Sequence, residues 1–196
     1  MYNINYEIVY IPIGYVRDEN YNVQHFISHA YYTYDRAKKA MNKMMAKMRK
    51  CVKNNFANHT VDELPTDNGG KYFREDGYTC GEIQLVPFTF HRQSYNCVKT
   101  FSVCLSDLLD CYSNYFSVKF ITPIENNIDK FIEEVNKLKH DQNHIACRIM
   151  NYTDAIIEED ENSVCYSSNF IAEENGGSGT TRFKMKLYQV SLDPKY

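Results

Sequence analysis

The feature that most constrains this fold is a long helical pattern that begins near Thr33 or Asp35 and continues to residue 56. Its apolar side chains recur every three or four residues, which places them on one face of an α-helix about 33 Å long. They are Ala37, Met41, Met44, Met45, Met48, Val52 and Phe56. A helix with one apolar face must bury that face, and a methionine-rich face is typical of packing on a sheet.

Strand patterns surround this helix. Runs of β-branched and aromatic residues predict strands at 4–13, 81–90, 97–105, 115–121, 144–150 and 163–171, with a final hairpin over 172–192. Residues 91–96 are predicted to connect two of these strands as a hairpin. The polar stretch 57–78 is either a working loop or contains further short elements.

A second helix is predicted after Thr122 and Pro123, where Glu125 completes a capping box. Its apolar stripe is predicted to be buried and comprises Ile124, Ile128, Phe131, Val135 and Leu138. Together the elements predict a single α+β domain over residues 1–196, with a mixed or mainly antiparallel sheet and two principal helices. The specific version is a ferredoxin-like core with added C-terminal strands.

Charge is distributed unevenly along a chain whose formal net charge is −3. Residues 1–60 hold nine Lys and Arg against four Asp and Glu, whereas the remaining residues hold 13 against 21. The helical segment 36–60 alone carries eight Lys or Arg and no acidic residue. An anionic partner is therefore expected first at this helix.

Two rows of cations are the candidate binding residues. On the helix, the side opposite the methionines gathers Arg36, Lys39, Lys43, Lys47 and Lys50. On the last strand, Arg182, Lys184 and Lys186 alternate with the apolar Phe183, Met185 and Leu187. If both rows face the same way, they form one surface for a polyanion.

These rows predict a non-catalytic protein that docks through its basic helix onto nucleic acid, a nucleoprotein complex or an acidic protein surface. Eight of the 17 tyrosines lie within the first 34 residues, where aromatic rings could stack on unpaired bases. The abundance of Asn, Lys, Tyr and Ile suits an AT-rich coding sequence, which suggests a phage-encoded inhibitor of a host defence complex.

Other interpretations remain open. The helix lysines suit a solvated or internally paired face, and the strand lysines suit protection of a sheet edge against aggregation. A small enzyme acting on a nucleotide-like or phosphorylated substrate would use the basic residues to attract the anion and His91 as acid or base. A structural or assembly subunit would use tyrosines and methionines at an oligomer interface.

No motif predicts a catalytic residue, a metal site or a cofactor. His25 and His29, like His140 and His144 with Cys147, have ligand spacing but no clear third ligand. Residues 176–181, GGSGTT, open onto a strand and suit a hairpin turn better than a phosphate loop. The acidic residues between 154 and 161 suit a solvated loop.

The compartment is predicted to be cytoplasmic and reducing. Seven cysteines form an odd set without a Cys-x-x-Cys pair, which argues against a disulfide framework. The first residues lack the positive flank of a signal peptide, and no apolar run reaches the length of a membrane span. No membrane partner is expected.

Overall fold

The computed structural model of the chain describes residues 6–20, 22–91, 98–109, 114–124, 127–140, 149–152, 156–160, 163–174 and 177–193. Contacts divide it into two compact units. The first comprises the described residues up to Lys99 and those from Val190 onward, and the second comprises Thr100–Gln189. In its described part each unit has one sheet and one helix, which confirms the α+β class with mainly antiparallel pairing. That all 196 residues act as a single domain stays a prediction.

The first unit contains, in its described residues, five strands and one helix. They are β1 (Tyr6–Arg17), β2 (Val23–Ile27), α1 (Tyr34–Asn55), β3 (Val61–Thr66), β4 (Gly69–Arg74) and β5 (Thr79–His91). The strands pair antiparallel in the order β2-β1-β5-β4-β3, so β2 is one edge of this sheet. The predicted strand at 4–13 is the first part of β1, and the predicted long helix is α1.

Helix α1 packs its apolar face on the sheet, as predicted. All seven apolar residues of the stripe are buried, and the helix shares a core cluster with Val16, Tyr72, Ile83 and Leu85 of the strands. Gly14 permits the close approach, since a Cβ there would lie 3.0 Å from the sulfur of Met48 and 2.8 Å from the carbonyl oxygen of Glu82. Burial of the whole stripe, including this close contact, fixes the orientation of the helix about its own axis.

Two local expectations are resolved in the first unit. The polar stretch 57–78 does contain short elements, because β3 and β4 form a hairpin in which Thr66 pairs with Gly69. The predicted hairpin at 91–96 is wrong, because β5 already pairs with β1 and β4, and the next strand belongs to the other sheet. A short connection between two strands does not decide whether they pair.

The second unit has six strands and one helix among its described residues. They are β6 (Thr100–Leu109), β7 (Asn114–Thr122), α2 (Ile128–His140), β8 (Ile149–Tyr152), β9 (Ile156–Asp160), β10 (Ser163–Glu174) and β11 (Gly177–Ser191). The order is β7-β6-β11-β10-β8, and β9 also pairs with β10. The final hairpin is confirmed, since β10 and β11 pair from Glu174 with Gly177 onward. Of the predicted strand at 144–150, residues 144–148 lie outside the described residues, and its last two residues begin β8.

Two other expectations for this unit do not hold as stated. Residues 156–160, predicted as part of an acidic loop, form strand β9. The ferredoxin-like core is not confirmed, because β7 and β8, which flank α2 in the chain, lie at opposite edges of the described sheet.

Helix α2 begins later than the capping box predicts. Thr122 is buried as the last residue of β7, and the side-chain oxygen of Asn127 accepts the backbone N–H of Lys130 at 3.2 Å. Phe131 is buried as predicted, but Ile124 and Ile128 are 45% and 37% exposed, so the start of the predicted buried stripe is wrong. The side chains of Val135 and Leu138 lie outside the description. Neither helix of the described chain has the length and hydropathy needed to cross a membrane.

The turn between β4 and β5 is held by a local ion pair. Gly77 has φ +84°, which favours glycine, and Arg74 pairs with the carboxylate of Asp76. The backbone N–H of Tyr78 donates to the same carboxylate at 3.0 Å. The hydrogen bond from Arg74 is the main cause that lowers the pKa of Asp76 to about 2.

We expect Met48→Ala to lower the free energy of unfolding by about 2–4 kcal/mol, because it removes a fully buried side chain and leaves a cavity. Urea denaturation followed by circular dichroism measures the change. Met48→Leu is the matched control and should cost less than about 1.5 kcal/mol, since it nearly preserves volume. Equal losses for both variants would contradict the packing of α1 described above.

We expect Asp76→Asn to change how stability depends on pH. A carboxyl group whose pKa is lowered by folding stabilises the folded state above its unfolded pKa, near 3.8, and this contribution is lost as the pH falls towards about 2. The unfolding midpoint of wild type should therefore exceed that of the variant above about pH 5, and the gap should narrow below about pH 4. Asp62→Asn, at an exposed position of β3, is the control. A gap that widens as the pH falls would refute the expectation.

Candidate functional site

Four lysines form an exposed row along α1. Lys39, Lys43 and Lys47 are spaced by four residues, about 6 Å apart along the helix axis, and Lys50 continues the row. All four side chains are exposed to solvent. Burial of the methionine face turns this row away from the core.

The two arginines of α1 form ion pairs within the first unit. Arg36 lies 2.5 Å from the carboxylate of Asp193, and Arg49 donates two hydrogen bonds to Glu63 at 2.7 and 2.9 Å. The hydrogen bond to Glu63 is the main cause that raises the pKa of Arg49. The helix is therefore partly internally paired, as one interpretation of the sequence expected.

Among the described residues, the row has no such partner. No carboxylate there forms an ion pair with the ammonium group of Lys39, Lys43, Lys47 or Lys50. In the described part of the chain, these exposed ammonium groups are therefore not neutralised, which is the condition that binding of an anionic partner through this helix requires.

A groove of about 550 Å³ lies beside the row, between α1 and the edge strand β2. We call it the α1/β2 groove. Its cationic lining comes from α1, and its other polar lining comes from β2, the connection to α1 and the C-terminal segment. The lining residues are His25, Phe26, Ile27, Ser28, Tyr31, Arg36, Lys39, Ala40, Lys43, Met44, Lys47 and Asp193.

The groove combines cationic and apolar surface. Lys39, Lys43 and Lys47 line it together with the apolar side chains of Ala40 and Met44 from the same helix. From the opposite side, Phe26 and Ile27 add further apolar surface. A ligand that carries negative charge beside apolar groups is complementary to this lining.

Tyr31 is held in place at the groove. Its hydroxyl is 3.0 Å from the hydroxyl of Ser28, and its backbone N–H and C=O bond those of Tyr10 on β1 at 3.0 and 2.8 Å. The side chain remains half-buried. An aromatic ring fixed beside cations can stack on a planar ligand group at a small entropic cost.

Asp193 reaches the groove because the C-terminal segment returns to the first unit. Ala30 and Leu192 form a parallel bridge, in which the N–H of Asp193 donates to the carbonyl of Ala30 at 2.8 Å. The carboxylate is thereby placed beside Arg36. No local pattern links two residues so distant in sequence.

Sequence reasoning missed Ser28 and Asp193. It considered His25 only as a metal ligand, and it named the tyrosines of the first 34 residues, Tyr31 among them, as possible stacking groups without placing them in a groove. His25, Ser28 and Tyr31 were not assigned to any element. One signal for β2 was present: Asp18 accepts the backbone N–H groups of Asn20 and Asn22 in a tight turn, and a five-residue strand follows.

The predicted basic strand is β11. Met185 and Leu187 are buried and Lys184 is exposed, which confirms that apolar and basic residues alternate between the two faces of the strand. Lys186 is half-buried, and its ammonium group lies 5.2 Å from the centre of the Tyr188 ring. The side chain of Arg182 lies outside the description. Edge protection is the wrong explanation for these lysines, because β11 lies between β6 and β10. They belong to the second unit, so one surface shared with α1 stays a prediction.

The other candidate groups do not lie in the groove, His25 excepted. His91 ends β5 and packs edge-on against Tyr6, with ring centres 5.5 Å apart. His25 lies on a strand and His29 follows it, so the helical spacing considered for this pair is wrong. Burial is the main cause that raises the pKa of Cys104 to about 12, and it keeps this thiol protonated.

Six other residues of types that could ligate a metal or act as a nucleophile lie outside the described residues: Cys97, Cys111, His144, Cys147, Asp154 and Glu161. Where the structure does describe side chains, no three His, Cys, Asp or Glu residues converge as metal ligands would. The described site therefore consists of a groove with cationic side chains and, among the described residues, no cluster of metal ligands.

Comparison with known proteins adds no functional assignment. No protein-family model, no curated protein and no solved structure matches this chain.

Proposed function

We propose that this protein is a non-catalytic binding protein for nucleic acid and that the α1/β2 groove is its contact surface. One observation carries the proposal: Lys39, Lys43 and Lys47 are exposed, lack a carboxylate partner among the described residues and line a common groove. Lys50 extends the row beyond the groove.

The physical basis is the release of counterions. Like charges four residues apart on a helix destabilise it by about 0.2–0.5 kcal/mol per pair, and a polyanion relieves this repulsion. Each lysine that replaces a condensed cation on a phosphate chain adds to affinity and makes it sensitive to salt. A row of lysines therefore favours a partner with several phosphates in sequence.

The finer predictions remain proposals. A nucleoprotein complex would present the same phosphates, and inhibition of a host defence complex by a phage-encoded protein is one form of that binding. An enzyme that uses His91 gains no support, because His91 is not among the groove residues.

We expect Lys43→Glu/Lys47→Glu to weaken binding of a fluorescently labelled 20-nucleotide DNA at least about tenfold, since it replaces two phosphate contacts with repulsion. The slope of log affinity against log salt concentration should also become shallower by about 1–2. Fluorescence anisotropy at several salt concentrations measures both quantities.

The matched control is Lys53→Glu/Lys119→Glu, which changes net charge equally at exposed lysines outside the groove. It should change affinity less than about threefold, because neither lysine lines the groove and charges that do not contact the ligand are screened by salt. Equal weakening by both double variants would show that net charge and not the groove drives binding. Wild-type binding that does not change with salt would also contradict the proposal.

We expect Asp193→Asn to strengthen binding of the same DNA by about two- to fivefold. The Asp193 carboxylate lines the groove beside the lysine row, so its replacement removes a negative charge that repels a phosphate there. Glu63→Gln is the control, because Glu63 does not line the groove. Weaker binding by Asp193→Asn, or equal strengthening by both variants, would refute the role given to Asp193.

A further inference from the structure

We infer that the α1/β2 groove takes a single strand of nucleic acid and not a duplex. This inference rests on the proposed function and specifies its ligand. It follows from three properties of the groove: its concave shape, its mixed lining and the position of Tyr31.

The shape of the site disfavours a duplex. A helix that reads duplex DNA projects into a major groove about 12 Å wide. Here Lys39, Lys43 and Lys47 instead line a concavity that β2 closes on the other side. Its volume of about 550 Å³ is in the range of small-molecule sites, so it admits a thin chain.

The length of the lysine row suits a short run of phosphates. From Lys39 to Lys47 the helix rises about 12 Å, a length over which one stacked strand carries about three or four phosphates. A single chain can keep these phosphates on the lysine side of the groove while its bases point elsewhere.

The mixed lining indicates where the bases would lie. Ala40, Phe26 and Ile27 provide apolar surface next to the lysines, and Met44, which is 7% exposed, adds little to it. A duplex stacks its bases on each other and offers mainly phosphates and groove edges, whereas a single strand exposes the apolar faces of its bases. A groove that served duplex phosphates alone would gain nothing from this apolar surface.

Tyr31 is the residue assigned to stacking. Its hydroxyl is tied to Ser28, its backbone is bridged to Tyr10, and its half-buried side chain lines the groove. A base that stacks on this ring can keep its phosphate near the lysine row. Such stacking is tolerant of sequence, so we expect little preference among bases beyond stacking strength.

The test compares four labelled probes at one salt concentration: a 12-nucleotide oligothymidylate, a hairpin duplex with the same number of phosphates, thymidine monophosphate and a polyglutamate peptide. The inference expects the oligothymidylate to bind at least about tenfold more tightly than each of the other three. Tyr31→Leu should weaken oligothymidylate binding at least about fivefold and leave duplex binding unchanged. Tyr31→Phe keeps the aromatic ring and should retain wild-type affinity within about twofold. That result would show that the loss of affinity in Tyr31→Leu comes from the missing ring.

The outcomes separate the two proposals. A hairpin that binds as tightly as the oligothymidylate and depends on Lys43 and Lys47 overturns the single-strand inference and leaves nucleic-acid binding standing. Thymidine monophosphate that binds as tightly as the oligomer also overturns the inference, in favour of a nucleotide pocket. Failure of both nucleic acids to bind overturns the proposed function itself, as does a polyglutamate peptide that binds more tightly than either of them.

Discussion

Burial of the methionine-rich face of α1 on the five-stranded sheet is the contact on which the site depends. Met48 packs so closely on Gly14 that a Cβ there would lie 3.0 Å from its sulfur, and Met41 and Val52 are buried on the same face. This packing decides the rotation of the helix about its axis. Because the apolar residues recur with the helical period, the same rotation exposes the lysines that lie between them. The core therefore positions the cationic surface.

The groove depends equally on the strand beside the helix. Strand β2 is short and lies at the edge of its sheet, and its residues form the side of the groove that faces α1. Ion pairs join the two arginines of α1 to carboxylates, Arg36 to Asp193 and Arg49 to Glu63. Lys39, Lys43 and Lys47 carry their charge into the groove, beside apolar residues. Charge and apolar surface on one wall distinguish this groove from a plain solvated helix face.

Sequence reasoning predicted what local periodicity controls. It identified α1, its buried face and the lysine row, because a pattern repeated over six turns leaves little ambiguity. It placed α2 too early, because Thr122 and Pro123 resemble a helix start while Asn127 performs that role. It missed β2, since five residues with mixed polarity carry a weak strand signal. Local patterns could not predict contacts between residues far apart in sequence, such as Asp193 with Arg36. Nor could they predict that β5 pairs with β1 and not with β6, because pairing depends on the folded chain as a whole.

The path of the chain has a consequence for synthesis in the cell. The segment around Leu192 bridges to Ala30 and also donates a hydrogen bond to the carbonyl of Lys99 at 2.8 Å. At the usual rate of translation, these late residues emerge on the order of ten seconds or more after α1 has left the ribosome. Until then neither the bridge at Ala30 nor the ion pair between Arg36 and Asp193 can form. The last contacts of the first unit therefore wait until all of the second unit has been synthesised.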